Sequence, residues 1–158
     1  MPSLLEELKQ NKPFRDLHEE AFLSILVTAE RLKTASAVVF KSSDLTHTQY
    51  NALRILRGAG DMGLTCGEIS ERMITRDSDI TRMLDRLESR QLIRRERRDA
   101  DRRIVRAFIT AKGLELLAEI EEPLTGWQTA KLAGLDDPEL RTLIALLEKV
   151  RNSIIGSD

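Results

Sequence analysis

Arginine is the residue type whose number and placement in this sequence point to specific chemistry. Twelve of the eighteen arginines lie between Arg72 and Arg106, with no lysine and seven carboxylates among them, so the segment carries a net charge of +5 and the remainder −6. A planar guanidinium presents two parallel donors to a pair of acceptors, on a base edge or a phosphate, where lysine offers only a point charge. The overall charge of −1 and a pI near 6.2 conceal this asymmetry, because acidic flanks offset the basic segment.

Other chemistries have little to work with. No serine–histidine–acid set, phosphate-cradling glycine loop or pair of facing carboxylates is identifiable, so no catalytic residue is assigned and an enzyme is not expected. His18 and His47 have no partners at metal-ligand spacing, and neither a metal nor another cofactor is expected. Cys66 is the single cysteine, which excludes an internal disulfide and a CxxC motif and fits a reducing compartment. It reads as a small buried residue, with a redox-sensing thiolate at a helix start as the other reading. Aromatic residues make up 4% of the chain, too few to stack the bases of a single strand. There is no run of about 18 apolar residues and no charged-then-apolar leader, so membrane insertion and export are not expected and the chain reads as cytoplasmic.

The arginines need elements to position them, and 158 residues with 41% hydrophobic content suffice for one domain with a real core. Ile80, Met83, Leu84 and Leu87 define one face of a helix from about Asp77 to Arg90. At 100° per residue, Ser78, Arg82, Asp85 and Ser89 fall on the opposite face, with Arg86 at its margin. Leu92-Ile93 and Ile104 to Ile109 read as two strands bracketing the charged run from Arg94 to Arg103, a hairpin with an arginine-rich tip. Ahead of this lie two short helices, each announced by a capping box: Thr46-His47-Thr48-Gln49 before Tyr50, Leu53 and Leu56, and Thr65-Cys66-Gly67-Glu68 before Ile69 and Met73. Gly58-Ala59-Gly60-Asp61 separates them.

Longer helices flank this centre. Met1 to Pro13 reads as a tail or arm. From Phe14 to about Lys41 apolar residues, among them Leu17, Phe22, Ile25, Leu26 and Leu32, recur at helical period over roughly seven turns, longer than one small core covers. A second subunit burying the outer stripe is favoured over a long core helix. After Thr110-Ala111-Lys112-Gly113, Leu114, Leu117, Ile120 and Leu124 predict a helix kinked near Pro123 and running past Trp127 to Leu132. Trp127 reads as core or interface, with the lining of an effector pocket as the other reading. Asp136-Asp137-Pro138-Glu139 then caps a strongly amphipathic last helix through Leu140, Leu143, Ile144, Leu147, Val150 and Ile154.

A helix of this width fits the major groove of DNA, where guanine presents two acceptors to a guanidinium, and an arginine at a hairpin tip can enter a narrow minor groove. Asp85 can read a base or orient Arg82 or Arg86, and Asp101 can hold Arg103 extended. The bland alternative pairs the helix arginines with Asp77, Asp79, Asp85 and Glu88 merely for solubility. It explains single arginines better than it explains the cluster.

Ile69-Ser-Glu-Arg-Met73, Ile80-Thr-Arg-Met-Leu-Asp-Arg-Leu-Glu88, Leu92-Ile93-Arg94, Asp101-Arg102-Arg103 and Ile109-Thr110-Ala111-Lys112-Gly113, in that order, resemble the MarR family of winged-helix transcriptional regulators. The resemblance is close over Leu45 to Gly113, and the flanking helices are similar to that family's interlocking dimer helices. It implies a recognition helix at Asp77 to Arg90, Arg103 as minor-groove arginine with Asp101 as its partner, and often a repressor released by a small phenolic or other anionic effector. Three positions depart from the pattern. Ile74 and Gln91 stand where glycines are usual, and Arg76 stands where a capping serine is common, leaving Thr75 or Asp77 to cap.

The expected fold is therefore mostly α, an α+β winged helix in a single 1–158 domain. A winged helix-turn-helix lobe over 45–110 joins dimerisation helices over 14–41 and 114–156. The expected DNA contacts are Arg76, Ser78, Thr81, Arg82 and Arg86 on the recognition helix, and Arg97, Arg98, Asp101, Arg102 and Arg103 on the wing. The expected partners are double-stranded DNA, a second copy of the chain and a small effector. The alternatives are a winged-helix module docking an acidic protein and a sequence-tolerant architectural DNA binder.

Overall fold

The computed structural model describes residues 3–75, 79–97 and 104–155. Its elements, in order, are helices α1 (Leu4–Glu7), α2 (Leu17–Phe40), α3 (His47–Ala59), α4 (Cys66–Arg72) and α5 (Ile80–Ser89), strands β1 (Ile93–Glu96) and β2 (Arg106–Ile109), and helices α6 (Ala111–Leu132) and α7 (Asp137–Ile155). The chain divides into two compact units, Met1–Glu121 and Glu122–Asp158. No helix among the described residues is long and apolar enough to cross a membrane.

In the first unit both expected capping boxes form. Thr46 accepts from the Gln49 amide while the Gln49 side chain accepts from the Thr46 amide, and Thr65 and Glu68 reciprocate in the same way at the start of α4. The helices bury the residues their periodicity selected: Leu53, Leu56 and Ile69 are wholly inaccessible, Tyr50 and Met73 nearly so. Asn51, buried between them, donates from Nδ2 to Met73 Sδ at 3.6 Å and so satisfies its amide inside the core.

The strands pair antiparallel with Ile93 opposite Ile109 and Glu96 opposite Arg106. Leu64 adds an isolated bridge to Ala107, with amide-to-carbonyl distances of 3.0 and 2.7 Å. This holds β2 on both sides. Gly63, at φ +57°, precedes that bridge, and a Cβ there would overlap the Phe108 ring. Ile104 and Val105, expected within the second strand, lie outside it and are exposed.

The start of α6 is locked onto the α5–β1 junction. Thr110 Oγ1 accepts from the Gly113 amide at 3.1 Å and donates to the Gln91 carbonyl at 2.7 Å, while Lys112 Nζ donates to the Arg90 carbonyl at 3.0 Å. Leu117 and Ile120 of α6 are buried within the first unit, and Arg57 pairs with Glu121 at 2.6 Å.

The second unit comprises the end of α6 and α7. Helix α6 runs through Pro123 without interruption. Asp136 caps α7, accepting from the Glu139 amide and donating its own amide to the Glu139 carboxylate, both at 2.9 Å. None of the described apolar residues of α7 is buried: Ile144 is 58% and Ile154 67% accessible. The apolar stripe of α2 is similarly uncovered, with Leu17, Phe22, Ile25, Leu26 and Leu32 all exposed and only Ser36 and Phe40 buried.

Candidate nucleic-acid interface

The sequence places α5 on its hydrophobic stripe and thereby decides which side chains face outward. Ile80, Met83, Leu84 and Leu87 are buried, and Thr81, Arg82 and Arg86 are exposed. The helix is shorter than periodicity suggested, beginning at Ile80. Its N-cap is Asp79 rather than Thr75 or Asp77, with Asp79 accepting from the Arg82 amide at 3.4 Å. The same carboxylate lies 3.2 Å from Arg82 Nε, in an exposed pair worth little in water, so the Arg82 guanidinium is held only loosely at the exposed face of the helix.

The basic segment divides into arginines that face outward and arginines that hold the fold. Arg86 on α5 and Arg97 at the end of β1 are exposed, and neither side chain has a partner among the described residues. Arg90 turns back instead, donating to the backbone oxygens of Asp44 at 2.6 Å and Ser43 at 2.9 Å. Arg95 is engaged by α5: its amide and Nε donate to the two oxygens of Glu88 at 3.0 and 2.8 Å, and its terminal nitrogen also reaches Asp85. The bonds to Glu88, and then those to Asp85, raise its pKa further, so it is permanently charged. Arg106 lies 3.1 Å from Glu68, and Arg94 packs over the Phe108 ring, 4.7 Å from its centroid, while pairing with Glu96. The Thr65 amide beside Glu68 holds its carboxyl below the usual range, helped by the Thr65 hydroxyl, Arg106 and Arg72.

Two expectations are corrected by this geometry. Asp85 does not orient Arg82 or Arg86, because the hairpin brings Arg95 of β1 against it. Cys66 is exposed rather than buried, since as the first residue of α4 it points away from the stripe that Ile69 buries. Arg76, Ser78, Arg98, Asp101, Arg102 and Arg103 lie outside the described residues. The clamp at Arg95 and the carbonyl grip of Arg90 were not read from the sequence. Both depend on which strand or loop the fold brings beside α5. The Gln91 departure did carry a signal: Gln91 adopts φ +61°, the left-handed conformation that a glycine would take without cost. Among the described residues no three histidines, cysteines or carboxylates come together to hold a metal ion.

Two short helices set by capping boxes, an arginine-bearing helix and a two-stranded wing define a winged helix-turn-helix DNA-binding protein. The sequence model of the MarR family matches residues 45–105. A MarR transcription factor from Planctomyces limnophilus, known by crystal structure, is 37% identical, with 86% of this chain and 98% of that one aligned at a TM-score of 0.66. YpoP of Bacillus subtilis, described as an HTH-type transcriptional regulator, is 33% identical over 107 residues, 68% of this chain and 74% of its own length. The fold is also that of Staphylococcus aureus MepR solved in complex with DNA, at 21% identity and a TM-score of 0.70 over 85% of this chain and 95% of that one. This chain belongs to the MarR family, and as such it is a DNA-binding transcriptional regulator and not an enzyme.

Proposed function

We propose that this regulator reads a specific, pseudo-palindromic duplex as a homodimer, with α5 in the major groove and the wing arginines on the backbone and minor groove. The observation that carries the reading is the division of α5 into a fully buried apolar face and an exposed face bearing Thr81, Arg82 and Arg86. Arg76 and Ser78, just ahead of the helix in sequence, are proposed as further contacts. Arg97, Arg98, Asp101, Arg102 and Arg103 are proposed as the wing contacts, with Asp101 as the partner of Arg103 that the family resemblance implies. Half-sites then lie about 10 bp apart, one helical turn, on one face of the DNA.

Dimerisation is supported by the uncovered apolar stripes of α2 and α7, the two regions read as dimerisation helices. It acts as a repressor relieved by a small anionic or phenolic effector, as the family resemblance implies, and works in the cytoplasm, a reducing compartment that its single cysteine fits.

Selection from a random duplex pool at physiological salt tests the reading. A two-fold-symmetric winner bound at least about a thousandfold better than bulk DNA is the expected result. Equal affinity for all duplexes with a steep salt slope would replace it by architectural binding. Absence of duplex binding would point instead to an acidic protein partner.

A further inference from the structure

We propose that Arg95 is a positioning residue for base recognition, fixing α5 relative to the wing and neutralising the carboxylate that α5 carries beside its reading arginines. The proposal rests on the reading of α5 as the recognition helix. Arg95 sits mid-strand in β1, opposite Ala107, and the strand it pairs with is anchored on its far side by the bridge from Ala107 to Leu64. From that fixed point its amide and Nε take both oxygens of Glu88, and its terminal nitrogen spans to Asp85 one turn earlier on α5. The side chain is 23% accessible, against 53% for Asp85.

The geometry requires a planar fork. A lysine would keep the backbone bond to Glu88 and one positive charge, but its single ammonium nitrogen cannot meet Glu88 and Asp85 through two nitrogens held in one plane. Asp85 lies three residues after Arg82, on the same side of the helix. Left uncompensated, its charge would oppose nearby phosphates and draw Arg82 or Arg86 away from a base edge. Arg95 removes both effects without touching DNA. It also sets where β1 delivers Arg97, two residues further along the wing.

The test uses the full-length protein and the duplex selected by the wild type. Arg95→Gln is expected to lower affinity by about tenfold or more and to relax base preference in each half-site. Adding Asp85→Asn is expected to restore much of the affinity, because the repelling charge is gone. Arg95→Lys keeps the charge and is expected to retain the relaxed preference. Circular dichroism and thermal unfolding establish that the variants fold, and Arg95→Lys serves if Arg95→Gln does not. Wild-type preference in Arg95→Lys, or losses in Arg95→Gln and Asp85→Asn that simply add, would overturn the proposal. So would lower affinity with unchanged preference and a salt slope reduced by about one phosphate, the mark of a direct backbone contact. Arg82→Ala separates the two levels: altered preference there but not at Arg95 defeats only the clamp, whereas no change in either defeats the reading of α5 itself.

Discussion

At the scale of single residues, the same side chain serves opposite ends in this protein according to what lies across from it. Arg82 and Arg86 are solvent-facing, while Arg90, Arg95 and Arg106 are turned into backbone carbonyls and carboxylates. Arg82→Ala is therefore expected to alter the preferred base at one position of each half-site, at a cost of about 1–3 kcal/mol on the preferred sequence, as read by repeated site selection. Arginine enrichment was visible in the sequence, but its division was not, since it depends on which strand residue the hairpin register sets against Asp85 and Glu88. Gln91 shows the reverse case, where a departure from a usual glycine exposed the strain directly. At φ +61° a β-branched side chain crowds its own backbone, and Gln91→Val is expected to destabilise by about 1 kcal/mol in chemical denaturation.

At the scale of elements, the helices were legible where local chemistry alone decides them. Thr46 and Thr65 mark helix starts by side chains that satisfy their own third amide, and no distant residue takes part. The start of α5 lies later than sequence suggests because Thr75, Asp77 and Asp79 can each accept from a helix amide, and it is Asp79, next to the buried Ile80, that caps the helix. The α5–β1–α6 junction is tight: a Cβ on Gly113 would run into the Leu92 carbonyl and the Ile109 side chain. Gly113→Ala is expected to lose about 1–3 kcal/mol despite the better helix propensity of alanine, measurable as a lower denaturation midpoint with an unchanged slope. His47, at the start of α3, lies edge-on to Phe40 with ring centroids 5.4 Å apart. Partial desolvation, and then Lys33, lower its pKa. The unfolded chain thus binds its proton more readily, so stability falls as pH drops below about 6.5 and levels off below the folded-state pKa. Because the ring keeps solvent access, the slope is shallow. His47→Gln is expected to flatten this part of a thermal unfolding series below about pH 6.5.

At the scale of the whole molecule, the basic segment and the uncovered apolar stripes of α2 and α7 are carried by different elements. The basic segment belongs to the first unit, and the second ends in a helix whose described apolar residues are all at least partly open to solvent. Ile144→Glu places a charge on that stripe and is expected to weaken self-association by about 1.5–3 kcal/mol, seen as a shift toward monomer in sedimentation at micromolar concentration. Unchanged association would remove α7 from the interface. Periodicity revealed the stripe, but periodicity cannot say whether a partner covers it, because a core helix and an interface helix share one pattern. The grip of Arg90 on Ser43 and Asp44 has a consequence of another kind. Both acceptors are main-chain oxygens, which every amino acid supplies. Substitutions at 43 and 44 that keep the backbone path, including the left-handed φ of +50° at Asp44, therefore leave the anchorage of α5 intact, whereas loss of the Arg90 side chain removes it.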